Sequence, residues 1–192
     1  MSFQSWRHLW RARFFLFINQ RTRAISAFSD LLATEPTNVL AANSIGFLHG
    51  ESGDYDLAVQ QFRNVLRITP NDADALFNLG FILQKQEHHD EAIAVLESAV
   101  KHNASLDRAW FGLGMSFAAL DRREKAITAF ERAAKLQPMN PHALYELGMQ
   151  HHALGQREKL RKIIARLKEF DPKVTKLLEQ ATQTPARQMT SN

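Results

Sequence analysis

A 34-residue period runs through the 192-residue chain and leaves few folds open to it. Pro36, Pro70, Pro138 and Pro172 stand in one column, with Ala104 in its single gap. Gly46, Gly80, Gly114 and Gly148 form a second column. A third holds Ala24, Ala58, Ala92 and Ala126, then Leu160. Two columns of larger residues follow: Phe28, Phe62, Leu96, Phe130 and Ile164, then Leu31, Val65, Ala99, Ala133 and Leu167. Self-similarity at this spacing marks a solenoid of stacked supersecondary units.

Each column has a physical reason. A mid-helix glycine costs about 1 kcal/mol against alanine, so its repetition predicts a helix approaching too closely for a Cβ. The alanine column is expected to be the matching small contact on the second helix. The large residues four and seven places later share its face and are expected to fill the core between units. Proline cannot continue a helix, and therefore separates units. Turn signals at Ser52-Gly53-Asp54, His88-His89-Asp90, Leu120-Asp121-Arg122 and Gly155-Gln156 split each unit into two helices. Strand alternation is absent.

Gly53-Asp54-Tyr55-Asp56-Leu57-Ala58, Ala109-Trp110-Phe111-Gly112-Leu113-Gly114, and the closings Leu66-Arg67-Ile68-Thr69-Pro70 and Leu136-Gln137-Pro138 resemble the tetratricopeptide repeat (TPR). The resemblance covers five units, 5–38, 39–72, 73–106, 107–140 and 141–174. It implies an all-α, right-handed solenoid of helix-turn-helix repeats. Three segments are expected: residues 1–38 as a degenerate first repeat, 39–174 as four regular repeats, and 175–192 as the end of a capping helix and a flexible tail. The first unit departs from the family at His8, Arg11 and Ala12, where Trp, Leu and Gly are preferred, so its first helix is expected to be displaced or to serve another purpose. Val174, Leu177, Leu178 and Ala181 are expected to form the buried face of the cap, since a terminal repeat otherwise exposes its apolar side. Residues 182–192 read as disordered.

The resemblance also implies a concave surface lined by the first helices, taking extended peptides or helices of partner proteins. Two inward columns carry large apolar residues: Phe77, Phe111 and Tyr145 in one, and Phe47, Phe81, Met115 and Met149 in the other. They predict an apolar groove, with Asn78 and Arg108 orienting the ligand. Gly112, Ala118 and Ala119 leave a small floor beside them. The competing reading is ordinary packing between repeats. A carboxylate clamp would need inward Lys, Arg and Asn; Arg13, Asn43, Asn78 and Arg108 are present, but Phe or Met fills most of those columns.

Trp6, Trp10, Arg13 and Phe17 mark a second candidate interface on the first helix, where Phe3, Trp6, Trp10, Phe14 and Phe17 recur every three or four residues. Such a helix caps the array, docks on a partner or another copy, or lies on an anionic membrane. The net charge of +4 divides into basic ends and an acidic centre, yet no nucleic-acid recognition motif appears. No cysteine is present, which excludes thiolate chemistry and cysteine-based metal sites. The histidines lack metal-ligand spacing, and no nucleophile–base pair or phosphate-binding loop is readable. No secretory signal or membrane span is read. The expectation is therefore a non-enzymatic adaptor, scaffold or chaperone, cytoplasmic or peripheral at the inner face of a membrane. It binds one or more proteins without a cofactor or metal; a self-assembling scaffold and a membrane tether are the alternatives.

Overall fold

The computed structural model describes residues 2–183, and the end of the expected tail, 184–192, lies outside them. Among the described residues there are eleven helices and no strand. Two compact units are formed, Met1–His102 and Asn103–Asn192. The first contains α1 (Phe3–Phe17), α2 (Arg21–Thr34), α3 (Val39–Ser52), α4 (Tyr55–Ile68), α5 (Ala73–Lys85) and α6 (His89–His102). The second contains α7 (Asp107–Ala119), α8 (Arg123–Leu136), α9 (Pro141–Ala153), α10 (Arg157–Lys168) and α11 (Pro172–Gln183).

From the second repeat onward, first helices open at 39, 73, 107 and 141, and second helices at 55, 89, 123 and 157. Asparagine or aspartate caps most first helices. The Asn38 carboxamide oxygen accepts the Ala41 N–H at 3.0 Å, Asp72 accepts from Asp74 and Ala75 at 3.0 Å, and Asn140 accepts from His142 at 3.0 Å. Such caps satisfy donors that the first turn leaves open. The fourth repeat has Leu106 at this position and no side-chain cap. There, beside the gap in the proline column, the Trp110 indole N–H donates to the Ala104 carbonyl at 3.0 Å.

The turn inside every repeat is built alike. Asn19, Gly53, Glu87, Asp121 and Gly155 have φ of 56–83° and stand 34 residues apart. The next residue donates its N–H to the carbonyl five places back: Gln20 to Phe15, Asp54 to His49, His88 to Leu83, Arg122 to Phe117 and Gln156 to His151, at 2.8–2.9 Å. This closure ends a helix with one left-handed residue. The third turn is therefore centred on Glu87, not on His88-His89-Asp90; His89 already opens α6, with Asp90 and Glu91 in its positively polarised first turn.

The glycine column does mark close approach, but its partner is the large-residue column rather than alanine. A Cβ on Gly46 would meet the Phe62 ring at 3.0 Å, one on Gly80 would meet Leu96 at 2.6 Å, and one on Gly114 would enter the Phe130 ring. In the fifth repeat Ile164 gives way to Leu178 of α11, 2.7 Å from a Cβ on Gly148. The cap thus completes the last repeat from outside. Leu178 is fully buried and Val174 and Ala181 are half-buried, whereas Leu177 is exposed, contrary to expectation. Consecutive helical residues point about 100° apart, and Thr175 takes the buried place instead, its hydroxyl donating to the Asp171 carbonyl at 2.8 Å.

The first helix is not displaced. α1 packs on α2, with Ala12 of the glycine column fully buried. His8 and Arg11 approach Asp30 at 3.6 and 3.4 Å. Hydrogen bonds from Ser5 and then Asn38 hold the Glu35 carboxyl below its ordinary pKa. Both ends of the array are charged where its interior is apolar. Ala41, Ile45 and Leu48 of α3 join Ala24, Ala27, Phe28 and Leu31 in one core cluster. The matching positions of α1 are Arg7, Arg11 and Phe14, all exposed. In α10, Arg161 and Lys168 are exposed where α4 has buried Val59 and half-buried Leu66.

Candidate functional site

In the first unit the columns that pack are separate from the columns that face outward on the first helices. Ala41, Ile45 and Leu48 are buried. The remaining side of the same helices exposes large apolar groups: Trp6 and Trp10 on α1, Leu40 and Phe47 on α3, Phe81 on α5. Phe17, at the end of α1, is 88% exposed and Phe47 is 59% exposed. By register, Trp6 and Leu40 share one column, Arg13, Phe47 and Phe81 another, and Phe17 stands with Glu51 and Lys85. The groove residues and the first-helix residues thus share one side of the repeat register in this unit. Rings meet along it: Trp6 and Trp10 are tilted against each other at 5.8 Å, and Phe77 stacks on Phe81 at 6.3 Å between centroids. Phe77 and Asn78 are half-buried, and the Lys85 ammonium lies 5.3 Å from the Phe81 ring centroid.

A cavity of about 380 Å³ opens on this side, where Leu16 of α1, Asn43, Phe47 and Glu51 of α3, and Asn78 of α5 meet. Arg21 and Glu51 approach within 3.5 Å at its edge. The Asn43 carboxamide oxygen is buried with no hydrogen-bond partner among the described residues. Sequence reasoning placed Asn43 in the inward column of Phe77 and Phe111 and in a clamp pattern; nothing in the sequence showed that its oxygen is buried.

The second unit treats the same columns differently. Met115 is 39% exposed, while Phe111, Tyr145 and Met149 are half-buried. The Phe111 ring lies 5.6 Å from Phe130, the residue that fills the space above Gly114. Phe111 therefore also packs within its own repeat, between α7 and α8. Arg108 is exposed, Gly112 is buried, and Ala118 and Ala119 are half-buried and exposed. Burial pushes the Glu146 carboxyl above its ordinary pKa, and His142 opposes that shift. No group of three or more His, Cys, Asp or Glu among the described residues could hold a metal ion. No helix among them is long and apolar enough to cross a membrane.

Two sequence-family descriptions match the chain: "TPR repeat" over residues 50–87 and "Tetratricopeptide repeat" over 82–141 and 111–159. No curated protein sequence matches it. Among solved structures it is similar to a MamA protein, at 19% identity and a TM-score of 0.80, over 100% of this chain and 99% of that one. MamA from Desulfovibrio magneticus RS-1, residues 41 to the end, matches at 21% identity and 0.79, over 96% and 99% of the two chains. YrrB, described as a TPR protein with an unusual peptide-binding site, matches at 23% and 0.76, over 90% and 89%. At these identities the likeness is one of fold.

Proposed function

We propose, from the premise that the chain belongs to the tetratricopeptide repeat family, that the first-helix side of its first unit docks the apolar face of a partner protein's helix or extended segment. One observation carries this reading: Trp6, Trp10, Phe17, Leu40, Phe47 and Phe81 stay exposed although other columns already fill the core. Apolar patches of several hundred Å² on a protein surface mark interaction sites, and an amphipathic segment is recognised by a groove of this kind. Phe77 and Asn78 border the surface. Arg13 and Lys85 supply positive charge at its edges, and Glu51 negative charge. In the second unit Met115, with Tyr145, Met149 and Arg108, is a smaller candidate surface; flexible Met suits varied apolar partners. The role is that of a non-catalytic adaptor, scaffold or chaperone, acting in the cytoplasm.

The test is copurification from the native cells with a Phe47→Asp/Phe81→Asp variant whose circular dichroism matches the wild type. Loss of a specific partner supports the docking surface. Retention of every partner moves the site to the second unit or to the second helices.

A second reading follows from α1, where Arg7 and Arg13 flank the exposed Trp6, Trp10, Phe14 and Phe17. The partner is then another copy, whose α1 enters this surface, and head-to-tail contacts of that kind form open oligomers. Concentration-dependent light scattering that vanishes on Trp6→Ala/Trp10→Ala substitution supports self-assembly, and a monomer at high concentration rejects it. Flotation of the same variants with anionic vesicles tests the membrane tether.

A further inference from the structure

We propose that α1 lies in the plane of an anionic lipid bilayer, its aromatic side chains sunk below the headgroups and its arginines on the lipid phosphates. This contact needs no protein partner at Phe47 or Phe81.

The aromatic residues of α1 form a stripe, and its arginines form the borders. At about 100° per residue, Phe3, Trp6, Trp10, Phe14 and Phe17 fall within an arc of about 80° around the helix. Arg13 stands about 20° beyond one edge of that arc and Arg7 about 20° beyond the other, with Arg11 further on. Ser5 and Ala12, the buried residues of α1, lie on the opposite side. The five aromatic side chains are 50–88% exposed. They meet one another along the stripe: Phe3 stacks on Trp6 at 6.2 Å, and Trp6 is tilted against Trp10 at 5.8 Å. Arg7 and Arg13 are exposed, and Arg11 reaches Asp30 at 3.4 Å. α1 contains no Asp or Glu, and residues 1–30 carry five Arg against Asp30 alone.

Shape, register and charge together select a bilayer. The stripe is convex and one helix wide, so a fluid apolar phase takes it without a matching groove. It also crosses two sides of the repeat register. Trp6, Trp10 and Phe17 belong to the docking surface described above, whereas Phe14 and Arg7 stand in the columns where α3 buries Leu48 and Ala41. A segment docked beside Phe47 covers the first three rings and leaves Phe3 and Phe14 in water; a plane takes all five. Aromatic rings at the boundary, with cations on flexible stems at both flanks, suit a helix lying among anionic headgroups. A second copy is a poorer match, since its groove presents Arg13, Arg21 and Lys85 to these arginines, and its Glu51 already lies 3.5 Å from Arg21. The 15 residues of α1 make about 22 Å of helix. That falls short of a hydrocarbon core of about 30 Å, so the helix lies along the surface and not across it.

The full chain is mixed with vesicles of phosphatidylcholine alone or of phosphatidylcholine with phosphatidylglycerol, and binding is read by flotation. The anionic vesicles are expected to float the chain and the neutral ones to leave it behind, with binding falling as salt rises. In a Trp110→Phe variant Trp6 and Trp10 are the remaining tryptophans, and lipids brominated high on the acyl chain are expected to quench their emission. Arg7→Gln/Arg13→Gln is expected to weaken vesicle binding about thirtyfold, the effect of two cations at an anionic surface. Phe3→Ser/Phe14→Ser is expected to weaken it at least about tenfold while any protein partner is retained. Absence of flotation, equal flotation by both vesicles, or binding without quenching overturns the proposal, and the vesicle comparison uses the natural chain, so it stands even if a substituted α1 fails to fold. Self-association that Phe3→Ser/Phe14→Ser removes, with no vesicle binding by the natural chain, gives the stripe to a second copy and also overturns it. If Phe47→Asp/Phe81→Asp abolishes partner capture and no vesicle binds, the docking surface survives and the membrane contact falls. If anionic vesicles bind as expected but no partner depends on Phe47 and Phe81, the membrane contact stands and the docking surface falls.

Discussion

Phe47 and Phe111 occupy neighbouring inward columns on first helices of the two units, yet one faces solvent and the other lies against Phe130. Phe47 is separated from the core by Ala41, Ile45 and Leu48, which already pack on the preceding second helix. Phe111 has Gly112 beside it and Gly114 three places on, both buried, and its ring leans toward the residue that fills the glycine gap. A shared repeat register therefore fixes where a side chain starts without fixing whether it is available to a partner. Availability depends on what the neighbouring small residues leave open.

The comparison can be broken most forcefully at the feature that both units share. Gly80→Ala and Gly114→Ala each insert a methyl group into Leu96 or Phe130, and each is expected to cost about 1–3 kcal/mol in urea unfolding. A neutral result in either unit would mean that the two are not built on the same frame. Next comes the contrast itself. Phe111→Ala is expected to cost about 2 kcal/mol, because it removes a ring packed on the core. Phe47→Ala is expected to fall within about 0.5 kcal/mol, as surface changes do, while weakening partner binding. Equal stability losses would erase the distinction between the two faces.

A smaller effect of opposite sign is expected in the turns. Glu87 holds the left-handed conformation that Gly53 and Gly155 hold elsewhere, so Glu87→Gly should raise stability by about 1 kcal/mol. The smallest effects are pH-dependent and differ between the units. Glu35, in the first, has a lowered pKa owing to Ser5 and Asn38. Its contribution is present above the unfolded-state pKa and is lost as pH falls through the folded value. Glu146, in the second, has a pKa raised by burial. It favours the fold below its unfolded pKa and loses that advantage as pH rises through the folded value. Glu146→Gln should therefore stabilise the chain at neutral pH and change little in acid, whereas Glu35→Gln should destabilise it at neutral pH and change little in acid. Thermal melts across pH 3–8 separate the two.

Periodicity made the helical register readable because proline and glycine obey geometric rules that few residues satisfy. It located the repeats and the glycine gaps before any coordinates. The left-handed turn column was not readable, since Asn19, Glu87 and Asp121 occupy it as well as glycine. Nor could the partner of the glycine column be read, because alanine and the large residue four places later share a face. Leu177 misled for a related reason, as it lies one residue from the stripe that Leu178 occupies. At the candidate site the apolar columns were legible, but their exposure was not. Burial of Phe111 depends on Phe130, nineteen residues away by the numbering, and the Asn43 oxygen is buried by neighbours that its own sequence position does not reveal. Contacts of that kind are tertiary and leave no local pattern.

The charged residues at the two ends of the array give it a count. Arg7 and Arg11 at one end, and Arg161 and Lys168 at the other, stand where an adjoining repeat would seat alanine, leucine or valine. A duplicated copy of residues 39–72 spliced in between the second and third repeats would find apolar columns on both of its sides. The same copy joined before α1 would meet arginines. Growth by internal duplication is thus open to this chain, while a repeat stacked on the Arg7 and Arg11 face of α1 would have to bury charge.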